Sequence, residues 1–197
     1  MSLIIAIKSG DTIFLGADTQ SSTDTLKVNH LNEERFKLKK MPQDFIVGSV
    51  GLVIGGQTLA FHPEWFELPK SRLCDKRYIV ENIINPFFKT LEVHNYDLKE
   101  SAFGVKDLPG SFVIARQDKL FEIKASGSVI EVADCIAIGS GSEYAIPALR
   151  SALSVSSKER ILLGLRIASK FDQAVSPPFI LINTKTLEYE IVKEERG

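Results

Sequence analysis

Leu3, Ile4, Ile5, Ala6 and Ile7 form an unbroken apolar run of strand length near the start of the chain. A strand with one wet face alternates apolar and polar residues, because successive side chains point to opposite sides of a sheet. A run that is apolar on both sides must lie in a sheet covered above and below. Residues 179–182, Phe-Ile-Leu-Ile, repeat the pattern near the other end. Whatever this chain folds into must therefore hold layers on both faces of at least one sheet.

The remaining elements decide which layers. Turn chemistry at Ser9, Gly10 and Asp11 joins the first run to residues 12–17 as a hairpin. A polar stretch, residues 19–25, leads into residues 27–31. Residues 35–39 alternate with period two, and residues 41–44 turn them into a second hairpin with residues 45–50. The spacing becomes helical over about 51–66 and 75–93, with Ile79, Ile83, Phe87 and Leu91 on one stripe and a bend expected at Pro86. Strand character returns at 111–115, 119–123 and 134–138. Helices follow at about 143–154 and 157–171, the second opened by Ser157, and strands at 179–183 and 188–192 close the chain. Strands, helices, strands, helices, strands is not the alternation of βαβ units. It predicts an α+β fold: two antiparallel sheets face to face between helix pairs, a four-layer αββα sandwich formed by a single domain over residues 1–197.

Charge and composition exclude several function classes. The 24 Lys and Arg residues nearly cancel 25 Asp and Glu, so no basic surface calls for nucleic acid or an anionic membrane. No run approaches the roughly 20 apolar residues of a membrane helix. The apolar start lacks the basic segment of a signal peptide, so a cytoplasmic location is expected. Cys74 and Cys135 stand far apart without a CxxC pattern and read as reduced and structural. His30, His62 and His94 show no ligand spacing, so neither a metal nor another cofactor is expected.

Five segments carry a resemblance to a known family: residues 2–7, Ser-Leu-Ile-Ile-Ala-Ile; residues 15–19, Leu-Gly-Ala-Asp-Thr; Val47-Gly48; residues 119–123, Lys-Leu-Phe-Glu-Ile; and residues 137–145, Ala-Ile-Gly-Ser-Gly-Ser-Glu-Tyr-Ala. In that order they resemble the proteasome β-subunit and HslV peptidases, which belong to the N-terminal-nucleophile (Ntn) hydrolases. The resemblance implies a hydroxyl nucleophile at the mature N-terminus, with its own amino group as base. Unperturbed, such an amine has a pKa of about 7.7–8.0, so it can accept a proton near neutral pH.

Carried over by residue, the resemblance makes Ser2 the nucleophile once Met1 is removed. Asp18 becomes the acid after the alanine, Gly48 the oxyanion donor, Ser140 the serine of the Gly-Ser-Gly turn, and Asp172 the acid after the last helix. Ser176 follows Asp172 as a second serine, one place later than the family pattern. A lysine is expected near the start of the third strand, and counting from Gly48 or from residues 36–38 places Glu34 there; a slip of one residue would place Arg35 there instead. A carboxylate at that point would favour the protonated amine and oppose a developing alkoxide. Two readings stand side by side. One is a self-compartmentalising peptidase that forms homo-oligomeric rings, acts on peptides or unfolded proteins and works with an AAA+ ATPase. The other is an inactive ring-forming scaffold or regulatory protein.

Overall fold

A computed structural model of the chain describes residues 2–22, 27–94, 96 and 106–193. The chain passes through β1 (Leu3–Ser9), β2 (Thr12–Asp18), the short strands β3 (Gln20–Ser22) and β4 (Lys27–Asn29), then β5 (Leu38–Met41) and β6 (Phe45–Gly51). Helix α1 (Val53–Phe61) precedes a helical stretch made of α2 (Lys76–Tyr78), a π-helical segment (Ile79–Ile84) and α3 (Asn85–Val93). Strands β7 (Gly110–Arg116), β8 (Lys119–Ile123), β9 (Val129–Glu131) and β10 (Cys135–Gly139) come next. They are followed by α4 (Ser142–Ser151), α5 (Ser157–Phe171), β11 (Phe179–Asn183) and β12 (Glu190–Val192).

The two-faced run behaves as its sequence demands. Leu3, Ile5 and Ile7 pack with Leu149, Ile161 and Leu165 under α4 and α5, while Ile4 and Ala6 face Leu38, Ile46 and Val113 of the other sheet. One sheet has the order β10-β1-β2-β11-β12 and the other β5-β6-β7-β8-β9, with antiparallel pairing throughout. On the outer face of the second sheet, Phe45, Val47, Phe112 and Phe121 meet Leu59, Tyr78, Ile83 and Phe87. The layers are thus helix, sheet, sheet, helix, as expected, with β1 flanked by β10 and β2 in the middle of its sheet.

Several boundaries move, each for a local reason. The expected strand at 35–39 begins only at Leu38, because Glu33–Arg35 closes a one-turn 3₁₀ helix capped by Asn32, whose Oδ1 accepts the Glu34 N–H at 3.0 Å. The helix expected over 51–66 stops at Phe61, and Pro63 starts a separate 3₁₀ turn, Pro63–Phe66. The bend expected at Pro86 takes the form of the π-helical turn ahead of it. A proline ring crowds the carbonyl four residues back, and the helix widens so that the Asn85 N–H reaches the Val80 carbonyl. Helix α5 is capped by Ser156 rather than Ser157, in a reciprocal box with Glu159. Among the described residues no helix is long and apolar enough to cross a membrane.

Ile5 is fully buried between the sheet and α4–α5. Ile5→Ala should therefore cost about 2–5 kcal/mol of folding stability, the usual range for a cavity left in such a core. Guanidinium chloride titration of the two proteins measures it.

Candidate functional site

The site forms where the start of β1, the end of β2 and the end of β10 come together. Leu3 pairs with Gly139 across β1 and β10. Ser2, only 7% exposed, accepts the Ser140 hydroxyl on its carbonyl at 3.4 Å. Gly139 adopts φ +104°, and a Cβ there would lie 2.1 Å from the Ser2 oxygen. Only glycine lets the two backbones approach this closely. Ser2 and Ser140, singled out in the sequence, are thus adjacent.

Asp18 ends β2 with no exposed surface. One carboxylate oxygen accepts the Leu3 N–H at 2.9 Å; the other accepts the Gln20 N–H at 3.0 Å and the Lys37 ammonium at 2.6 Å. Lys37 Nζ also donates to the Gln20 carbonyl at 2.7 Å, and its side chain keeps only 12% exposure. Burial pushes the Asp18 carboxyl above the ordinary aspartate value, against the pull of the Lys37 charge and the hydrogen bonds from Lys37, Leu3 and Gln20. Burial also draws the Lys37 ammonium below the ordinary lysine value, opposed first by Asp18 and then by the charge of Asp172. The result is a cation held on the same carboxylate that holds the Leu3 N–H, at a reduced cost of losing its proton.

This corrects the expectation for Glu34. Neither Glu34 nor Arg35 sits beside Asp18: both are exposed on the 3₁₀ turn, and Lys39 donates to the Glu33 and Glu34 carbonyls from the far side. Because that turn takes residues 33–35 out of the strand, the side chain that reaches Asp18 comes from Lys37, just ahead of β5. The signal was present in the period-two run, where Phe36 and Leu38 are core residues and Lys37 points the other way.

Gly48 is also repositioned. Ser49 donates its N–H to the Lys37 carbonyl at 3.1 Å. The N–H groups of residues 47, 49 and 51 therefore face the β5 edge, while that of Gly48 faces β7 opposite Val113. An amide committed to the ladder is a poor oxyanion donor. Gly51, at φ +114° and with a hypothetical Cβ 2.6 Å from the Pro109 oxygen, ends β6 beyond the last residue paired with β5, so its N–H lies past that ladder on the β5 side. It is the glycine the geometry offers for that role.

Asp172 closes α5. One of its carboxylate oxygens accepts the Ala174 N–H at 2.8 Å, and the other is buried without a partner among the described residues. Its charge acts on Lys37, so it belongs to the same electrostatic neighbourhood. Ser176 is engaged elsewhere, donating to Asn29 Oδ1 at 3.1 Å. Cys74 is buried, and burial pushes its thiol up to about 11. Among the described residues no group of three His, Cys, Asp or Glu side chains could hold a metal ion.

Removing Lys37 would strand a carboxylate that has no contact with water. Lys37→Met should cost about 3–5 kcal/mol in urea unfolding, as broken buried pairs do, whereas Glu34→Ala should stay within about 0.5 kcal/mol of the parent.

Residues 2–169 match the proteasome subunit family. Among solved structures the chain is similar to the BPH protein of Thiobacillus denitrificans, with a TM-score of 0.76 and 21% identity over 92% of this chain and 96% of that one. The same protein is also known in complex with epoxomicin, with a TM-score of 0.74 and 22% identity over 92% of this chain and 97% of that one. Eukaryotic HslV from Trypanosoma brucei gives 0.62 at 21% identity, covering 92% and 98% of the two chains. The Gly-1 mutant of Anbu from Hyphomicrobium sp. strain MC1 gives 0.73 at 14% identity, covering 98% and 87%. At these identities the likeness establishes the fold alone. None of the curated proteins matches the chain.

Proposed function

This chain belongs to the proteasome subunit family, and from that premise we propose that it is a self-compartmentalising peptidase subunit whose nucleophile is the Ser2 hydroxyl, exposed for chemistry by removal of Met1. The observation that carries the proposal is the buried Lys37 ammonium, 2.6 Å from the carboxylate that holds the Leu3 N–H.

Each group then has a role that its surroundings support. Ser2 Oγ attacks the substrate carbonyl while its proton passes to the Ser2 amine, directly or through water. A cation close by disfavours a second positive charge, so Lys37 keeps that amine unprotonated and stabilises the developing alkoxide. Asp18 fixes Lys37 and the backbone after the nucleophile. The Gly51 N–H donates to the tetrahedral oxyanion, a contribution of about 3–4 kcal/mol where such a donor is preorganised. The amine returns its proton to the departing nitrogen, leaving an ester on Ser2 that water hydrolyses. Ser140, whose hydroxyl donates to the Ser2 carbonyl, is the proton relay, and Asp172 acts through its charge on Lys37.

The competing scaffold reading draws on a carboxylate at the lysine place and on retention of Met1; the Lys37–Asp18 pair speaks against the first of these. The domain is taken as one unit over residues 1–197, located in the cytoplasm and acting on peptides or unfolded protein. Ring assembly is supported by α1, which carries no charged residue yet exposes Val53 at 71% and Phe61 at 75%, with Leu52 beside them at 67%. An AAA+ ATPase partner is part of the same proposal.

Intact-mass analysis of untagged protein should show loss of Met1. A peptide β-lactone or epoxomicin should then add once, at Ser2. Ser2→Ala and Lys37→Met should take up no adduct, and Glu34→Lys should react like the parent. Inactivation should accelerate with rising pH as the amine loses its proton, with a midpoint below the unperturbed value of about 7.7–8.0 because Lys37 is nearby. A protein that retains Met1, or an adduct that survives Ser2→Ala, would overturn the proposal.

A further inference from the structure

Gln20 is 3% exposed, although glutamine is usually a surface residue, and its backbone N–H, its carbonyl and its side-chain nitrogen are all committed. Its backbone N–H donates to Asp18 and its carbonyl accepts the Lys37 ammonium. Its side-chain Nε2 donates to the Gln173 carbonyl at 3.0 Å. Gln173 directly follows Asp172, whose carboxylate acts on the same lysine. One residue therefore contacts the carboxylate and the cation, and it also ties them to the loop that carries the second acid. We infer that Gln20 is the positioning residue of the site: its buried side-chain amide sets the place of its own carbonyl, and that carbonyl sets where the Lys37 ammonium points.

The reason lies in how the lysine is held. An ammonium has three donors on a flexible four-carbon stem and takes its direction from its acceptors. Here the acceptors are Asp18 Oδ2 and the Gln20 carbonyl. Asp18 is fixed at the end of β2, in the middle of a sheet. Gln20 lies at the start of β3, which among the described residues pairs only with β4 in a separate two-stranded sheet. Three residues of strand do little to locate a backbone carbonyl, so the side-chain bond to Gln173 supplies the constraint. Thr19 adds a parallel tie, its hydroxyl donating to the Pro178 carbonyl at 2.9 Å. A neutral amide suits this position because it reaches the Gln173 carbonyl without adding charge beside the ammonium.

This inference rests on the peptidase reading, and the test separates the two. The parent protein must first form the β-lactone adduct on Ser2, since failure there defeats the peptidase reading by itself. Gln20→Ala should then lower the inactivation rate constant at saturation by about ten-fold or more while inhibitor affinity stays within about two-fold, since a small displacement of a catalytic group affects rate rather than binding. The pH midpoint of inactivation should move up, because a less closely directed cation leaves the Ser2 amine more basic. Gln20→Glu should move it further, by adding a negative charge near the pair. Lys27 donates to the same Gln173 carbonyl at 2.8 Å from an exposed position, so Lys27→Ala tests mere anchoring of the loop and should leave rate and midpoint unchanged. Thermal unfolding of each variant confirms that the protein measured is folded. An unchanged midpoint in both Gln20 variants, or an equal loss in Lys27→Ala, would overturn the inference.

Discussion

The pair of buried Asp18 and largely buried Lys37 organises the end of the molecule where Ser2 sits. A carboxylate without access to water is costly unless its lone pairs are filled, and here two backbone amides and an ammonium fill them. Each donor comes from a different segment: Leu3 from β1, Gln20 from the start of β3, and Lys37 from the approach to β5. Satisfying one side chain therefore fixes the relative positions of both sheets around Ser2. The energetic constraint and the proposed chemistry act on the same atoms.

Much of the architecture is legible in the sequence because strand periodicity survives burial. The run of residues 3–7 is apolar throughout, and the structure divides it strictly: Leu3, Ile5 and Ile7 face the helices, and Ile4 and Ala6 face the second sheet. The same arithmetic misleads near residue 35. Arg35, Lys37 and Lys39 share a period-two pattern, yet a side-chain cap from Asn32 winds Glu33–Arg35 into a turn and removes Arg35 from the strand. A hydrogen bond between a side chain and an amide two residues away leaves no trace in hydropathy. The place of the cation shifts with it, from Glu34 to Lys37.

The glycines show a second limit of the same kind. Gly48 and Gly51 lie on one strand, and a sequence shows both as residues lacking a side chain. What separates them is the direction of their N–H groups, which depends on the ladder, and the ladder depends on where β5 starts. Short edge elements were also invisible: β3, β4 and β9 are three residues each, too brief for alternation to be read. The β3–β4 pair nevertheless brings Gln20 to the site through polar bonds that no pattern of apolar residues encodes.

The contact between Ser2 and Ser140 spans 138 residues of chain. On the ribosome, a nascent polypeptide emerges from its first residue onward, so β10 becomes available only after β1 to β9 have been translated. Asp18 and Lys37 can meet early, but the narrow passage beside Gly139 that seats Ser2 does not exist until late. A chain synthesised only as far as β9 thus cannot build the seat of Ser2, a consequence of topology alone.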